Sequence, residues 1–161
     1  MSYRTFFVIL TSAMITPPGA AISQTPLELQ MLCLKGNAQD CNELGVQYLW
    51  GNGVRKSEKM AFSLFEAACK EGLAEGCTRF ARLVEYGEGD EDENFTKALG
   101  LYIRGCAGKY PPACADLGVT FEEEPLNSPQ SAHHFFKLAC SLGDEFSCEE
   151  ARRLSSIRNV D

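Results

Sequence analysis

Four pairs of cysteines, each with seven residues between its members, punctuate the chain: Cys33 and Cys41, Cys69 and Cys77, Cys106 and Cys114, Cys140 and Cys148. They account for all eight cysteines in 161 residues. A spacing that recurs four times and leaves nothing over is a framework of neighbour pairs. Within one continuous helix, eight residues of rise would hold the α-carbons about 12 Å apart, beyond the roughly 7 Å that a disulfide spans. The chain must therefore reverse between the two cysteines of each pair. Gly36, Gly72 and Gly143, each three residues after the first cysteine, can end the helix there, and the third pair uses Gly108 followed by Pro111 and Pro112. After the turn, the last turn of one helix faces the first turn of the next and the sulfurs can meet.

Placing the pairs in register reveals an internal repeat with steps of 36, 37 and 34 residues, the period of helix-turn-helix arrays. Eight residues before the first cysteine of the last three pairs stand Ala61, Ala98 and Ala132, and four residues earlier stand Ser57, Asn94 and Ser128. Their short polar side chains can accept hydrogen bonds from the free amides of a helix's first turn. Thr25, Pro26 and Glu28 read as the start of a shortened first helix with a capping box. Phe65, Tyr102 and Phe136 fall in one equivalent position of the helices that follow the caps. A second helix follows each cysteine turn, and Gly51 and Gly87 can end two of these in a left-handed cap. About seven helices in antiparallel hairpins are expected, with almost no strand signal. The acidic stretch from Glu88 to Glu93 reads as a solvated connection, because it lacks the spaced ligands and the glycine of a calcium loop.

Residues 1–23 carry Arg4, an apolar run from Phe6 to Ile15 and a small-residue stretch, the layout of a secretory signal. Cleavage after Ser23 would leave a single domain over 24–161. The apolar run is too short to span a bilayer, so no stable membrane anchor is expected after cleavage. Export to the periplasm or beyond explains paired cysteines, which persist in oxidising compartments. The exported part holds 14 basic and 22 acidic residues, a net charge of −8 against −7 for the whole chain, because the leader contains Arg4 and no acid. That balance excludes nucleic acid and anionic membrane surfaces as partners. Zinc motifs usually join two cysteines over about two to four intervening residues, and the two histidines, His133 and His134, are adjacent. No metal and no cofactor are expected.

The stretch LGVQYLWGNGVRKSEKMA, followed by FEAACKEG, resembles the Sel-one-like repeat, a relative of the tetratricopeptide repeat. Leu44, Gly45, Tyr48, Gly51, Gly53, Val54 and Ala61 match its pattern, with Ser57 and Met60 at positions usually held by aspartate and lysine. Leu117, Gly118 and Phe121 match in the third repeat, while the second retains Phe80 and Ala81. The cysteine pairs are similar to those of the Helicobacter cysteine-rich proteins. The resemblance implies an all-α, right-handed α/α solenoid that binds a protein or peptide on its concave face, lined by the helices after the cysteines. Glu43, Gln47, Trp50, Arg79, Arg82, Glu85 and Tyr86 are the candidate contacts on that face, and an acidic face would suit a basic partner. Trp50 and Tyr86 stand equivalently, nine residues after Cys41 and Cys77; aromatics and arginine are favoured interface anchors.

Some cysteine-rich relatives are described as β-lactam-binding proteins or β-lactamases. Such an enzyme needs a nucleophilic serine near a lysine, typically S-x-x-K. Here Ser57 is followed three places on by Met60 and Ser63 by Glu66, and neither G-x-S-x-G nor H-E-x-x-H occurs. An immunity or regulatory protein for an exported effector is a third reading, again of the binding class. The expectation is a scaffold without catalytic residues of its own.

Overall fold

A computed structural model describes residues 24–87, 94–123 and 125–157. The expected leader at 1–23 and the acidic stretch at 88–93 lie outside the described residues. Among the latter the chain is helical throughout: α1 (Pro26–Leu34), α2 (Ala38–Trp50), α3 (Glu58–Lys70), α4 (Ala74–Glu85), α5 (Phe95–Ala107), α6 (Pro111–Glu122), α7 (Pro129–Ser141) and α8 (Glu145–Ile157). The eight helices are one more than the expected count of about seven, and the shortened first helix after Thr25, 9 residues long, is among them. Each packs chiefly on its neighbours in the chain, the contact pattern of a solenoid.

The helix starts follow from the capping residues. Thr25 Oγ1 accepts from the Glu28 amide at 3.3 Å while Glu28 Oε2 accepts from the Thr25 amide at 2.8 Å. Ser57, Asn94 and Ser128 accept from the amides of Met60, Lys97 and Ser131 at 3.3, 2.9 and 3.4 Å. The amides of the same three caps donate backward to the carbonyls of Tyr48, Val84 and Phe121, each seven residues after a cysteine. One hydrogen bond thus fixes the entry of each of α3, α5 and α7 against the even-numbered helix before it.

The four neighbour disulfides form between consecutive helices, with α-carbons 4.3 to 4.7 Å apart. In three turns the second residue after the helix end is left-handed, at Gly36 (φ 86°), Gly72 (φ 89°) and Gly143 (φ 100°). In the third pair the left-handed residue is Lys109 (φ 60°), not Gly108, whose φ is −74°. Gly108 is needed for space instead: a Cβ there would lie 2.5 Å from the Cβ of Ala74 at the start of α4. Elsewhere Gly51 caps α2 at φ 75°, and Gly87 follows α4 at φ 66°.

The equivalent rings are the centre of the packing. Phe65, Tyr102 and Phe136 are almost wholly buried, and two of them rest directly on helix backbone. A Cβ on Gly45 would meet the Phe65 ring at 2.6 Å, and one on Gly118 would meet the Phe136 ring at the same distance. Both glycines stand four residues after a cysteine, where Ala81 stands in the remaining repeat. The leucine-glycine pair is therefore a leucine in the core beside a seat for the next helix's ring.

Alanine at Gly118 should cost about 1–3 kcal/mol by overpacking, whereas alanine at Gly100, where nothing lies within 4 Å, should be neutral or stabilising by up to about 1 kcal/mol. Replacing Cys69 and Cys77 together by alanine should lower the unfolding free energy by about 2–3 kcal/mol on the chain-entropy account. Urea titration of the three variants measures both effects; equal midpoints for the two glycine variants would refute the ring seat.

Candidate functional site

Helices α2, α4 and α6 touch one another in sequence. They carry all seven candidate contact residues or end beside them. Trp50 and Tyr86, at the ends of α2 and α4, are 69% and 68% exposed, although large aromatics are normally core residues. Glu43 is exposed and Gln47 half-buried. Arg79 is held by its own helix, with Nε and Nη2 donating to Glu75 Oε1 at 3.1 and 2.6 Å, and its guanidinium lies 5.9 Å from the centroid of the Phe65 ring.

Arg82, Glu85 and Tyr86 come together in one hollow of ≈ 220 Å³ between α4, α5 and α6, with Tyr102, Asp116 and Glu123 among its other walls. Arg82 crosses to the next repeat, where Nε and Nη2 donate to the two oxygens of Asp116 at 3.0 and 3.1 Å. This two-point pairing is the strong geometry for a guanidinium and a carboxylate. The Tyr102 hydroxyl donates to Glu85 Oε2 at 2.7 Å. Gln47 is not part of this hollow; it faces a separate one of ≈ 370 Å³ beside Thr25, Pro26 and Asn52. Asp116 and Glu123 are not among the residues that the sequence marks, and Tyr102 is marked there only as one of the equivalent rings. Glu123 had a legible signal, since it stands nine residues after Cys114, in register with Trp50 and Tyr86.

Electrostatics in the hollow follow from partial burial. Burial pushes the Asp116 carboxyl above its ordinary range, Arg82 pulls it part of the way back, and Glu85 adds to the rise. Burial also opposes the Arg82 charge, but Asp116 more than offsets it and the guanidinium is held above its ordinary value. The Tyr102 hydroxyl is pushed well above the usual phenol range, by burial first and then by its bond to the Glu85 carboxylate. The pocket thus keeps Tyr102 as a fixed proton donor.

A second polar cluster lies at the C-terminal end, where Ser155 Oγ is 2.8 Å from His133 Nε2. That hydroxyl also lies 2.8 Å from the Ala151 carbonyl, so the carbonyl and the imidazole compete for its single proton. Among the described residues no group of three His, Cys, Asp or Glu side chains could hold a metal ion.

The Sel1 repeat profile matches residues 38–73, 74–110 and 111–144, each one even-numbered helix followed by one odd-numbered helix. Cytochrome c oxidase assembly factor 7 of Xenopus tropicalis is 27% identical over 129 residues, covering 75% of this chain and 56% of the relative. The chain thus spans about half the length of the curated relatives it matches. Among solved structures, a Sel1 repeat protein from Oxalobacter formigenes superposes with a TM-score of 0.71 at 22% identity, over 76% of this chain and 49% of the other. Helicobacter pylori cysteine rich protein B superposes with a TM-score of 0.61 at 18% identity, over 79% of this chain and 97% of the other.

The inter-repeat contact can be read by titration. Carboxyl NMR should place the Asp116 midpoint above the ordinary value of about 3.9, and Arg82→Ala should move it higher still, because it removes the charge that favours the carboxylate. A downward move in that variant would mean that Arg82 does not act on Asp116 as the geometry indicates. A carboxyl raised in the folded state contributes stability at low pH that is lost as pH rises from the unfolded to the folded midpoint, so Asp116 favours the folded state in acid and weakens it toward neutral pH.

Proposed function

The chain belongs to the Sel1 repeat family, and from that premise we propose that it is an exported scaffold that binds a protein or peptide on the face formed by α2, α4 and α6. The exposed Trp50 and Tyr86 carry the reading. A solenoid that needed these rings only for packing would bury them as it buries Phe65 and Tyr102. Instead two large aromatics stand at one register of successive helices, the arrangement by which an array presents repeated anchors to an extended partner. Even-numbered helices in mutual contact form the inner layer of a curved stack, so this face is the concave one. Glu43, Gln47, Arg79, Arg82 and Glu85 then supply its polar surroundings.

Export is part of the proposal. Four disulfides within the chain suit an oxidising compartment, the leader supplies a route to it, and among the described residues no helix is long and apolar enough to cross a membrane. The Xenopus relative is named as an assembly factor, which favours a role in the assembly of a larger complex.

A photoreactive amino acid placed in turn at positions 50, 86, 103 and 138 tests the face in cells. Crosslinks to a discrete partner are expected from 50 and 86, on the even-numbered helices, and not from 103 and 138 on α5 and α7. Adducts from α5 and α7 alone would overturn the assignment of the face. Mass spectrometry of the purified exported protein should find Gln24 at its N-terminus and eight cysteines resistant to alkylation before reduction; retention of residues 1–23 would overturn export by cleavage.

A further inference from the structure

We infer that the hollow between α4, α5 and α6 receives a cationic side chain, an arginine in preference to a lysine, from a partner's peptide segment; this rests on the scaffold reading above and specifies one of its contacts. The register shows what is unusual here. The positions of Arg82, Glu85 and Tyr102 are held one repeat earlier by Val46, Leu49 and Phe65, an apolar set that packs with the core. Replacing three apolar groups by a polar network between packed helices costs desolvation that a purely structural contact does not recover. Departures of this kind from the packing rule of a fold are expected where the chain binds something.

Charge and shape give the ligand's chemistry. The walls include three carboxylates, Glu85, Asp116 and Glu123, against the single guanidinium of Arg82. Both oxygens of Asp116 are engaged by Arg82, and Glu85 is oriented by the Tyr102 hydroxyl. The Glu123 side chain has no hydrogen bond or ion pair among the described residues and is exposed. Tyr86 stands beside them with most of its ring in solvent. An uncompensated negative hollow with an exposed aromatic wall matches a cation that is also flat. A guanidinium can stack on the Tyr86 face while donating to Glu123 and to the second oxygen of Glu85; an ammonium has the charge without the plane. The net acidity of the whole chain favours approach of a basic segment.

The test uses the full oxidised protein and blocked peptides Gly-Gly-X-Gly-Gly in which X is arginine, lysine or citrulline, the last a neutral isostere of arginine. In a nitrogen-15 NMR titration, the arginine peptide should shift amides confined to residues 82–87 and 116–123. Binding should follow the order arginine, lysine, citrulline, and should weaken with added salt. Glu123→Gln and Tyr86→Ala should each weaken arginine binding at least five-fold, while Tyr86→Phe retains it. Both positions are exposed, and an unchanged thermal midpoint confirms that the variants fold. Shifts scattered over the acidic surface, equal binding of arginine and citrulline peptides, or an unchanged affinity in Glu123→Gln would overturn the inference. Crosslinks from positions 50 and 86 together with any of these outcomes would leave the scaffold reading standing without the cation hollow. Site-specific arginine binding without crosslinks would do the reverse.

Discussion

The seven-residue gap between paired cysteines is the constraint from which the architecture follows. Each disulfide holds two α-carbons less than 5 Å apart at a sequence separation of 8, so the chain has to leave one helix, reverse and begin another within the gap. One residue in each gap takes a left-handed conformation. Because the matched repeats begin at residues 38, 74 and 111, the bonds fall across the repeat boundaries. They fasten what packing alone joins in an ordinary solenoid, where each repeat leans on its neighbour. The bond at each boundary limits the local opening to which one-dimensional stacks are prone, and it keeps the register of successive even-numbered helices. That register sets Trp50, Tyr86 and Glu123 at one level.

Much of this was legible because it is local. A cap and its target amide lie three residues apart, so Thr25, Ser57, Asn94 and Ser128 could be read one segment at a time; likewise a cysteine and its partner lie eight apart. The ring positions Phe65, Tyr102 and Phe136 were visible through the period, although the reason for Gly45 and Gly118 was not. Each glycine serves a ring about twenty residues further on, and only the packed hairpin shows that the absent Cβ is the seat. In the third turn Gly108 ends α5 as expected, but the reason for a glycine there is again non-local. Gly108 is kept small by Ala74 at the start of α4, and Lys109 takes the left-handed conformation at a cost of about 1–2 kcal/mol. The disulfide and the packing of α5 on α6 hold it there.

The site was half legible. Arg82, Glu85 and Tyr86 were recognised as candidates from residue type and register, but the partners that give them meaning are non-local. Asp116 is 34 residues from Arg82 and Tyr102 is 17 from Glu85, and no pattern within one helix predicts either pair. By residue type and register alone the seven residues are members of one surface. In the structure they divide: Arg79 is engaged with Glu75, Arg82 is committed to Asp116, and Trp50 and Tyr86 project into solvent.

That division has a physical consequence for recognition. A residue already bound within the protein contributes to a partner chiefly by shaping and orienting, because breaking an established two-point ion pair would cost most of what a new contact returns. Arg82 and Tyr102 are of this kind, fixed by Asp116 and Glu85 before any partner arrives. Exposed groups such as Tyr86 and Glu123 have only side-chain freedom to lose. A rigid frame with a few unengaged groups at its rim lowers the ordering cost of binding, and the disulfides extend the rigidity from the hollow to the whole row of repeats. Cross-linking and recognition are thus parts of one design: bonds at the boundaries hold the helices in register, and the register determines which chemistry each hollow presents.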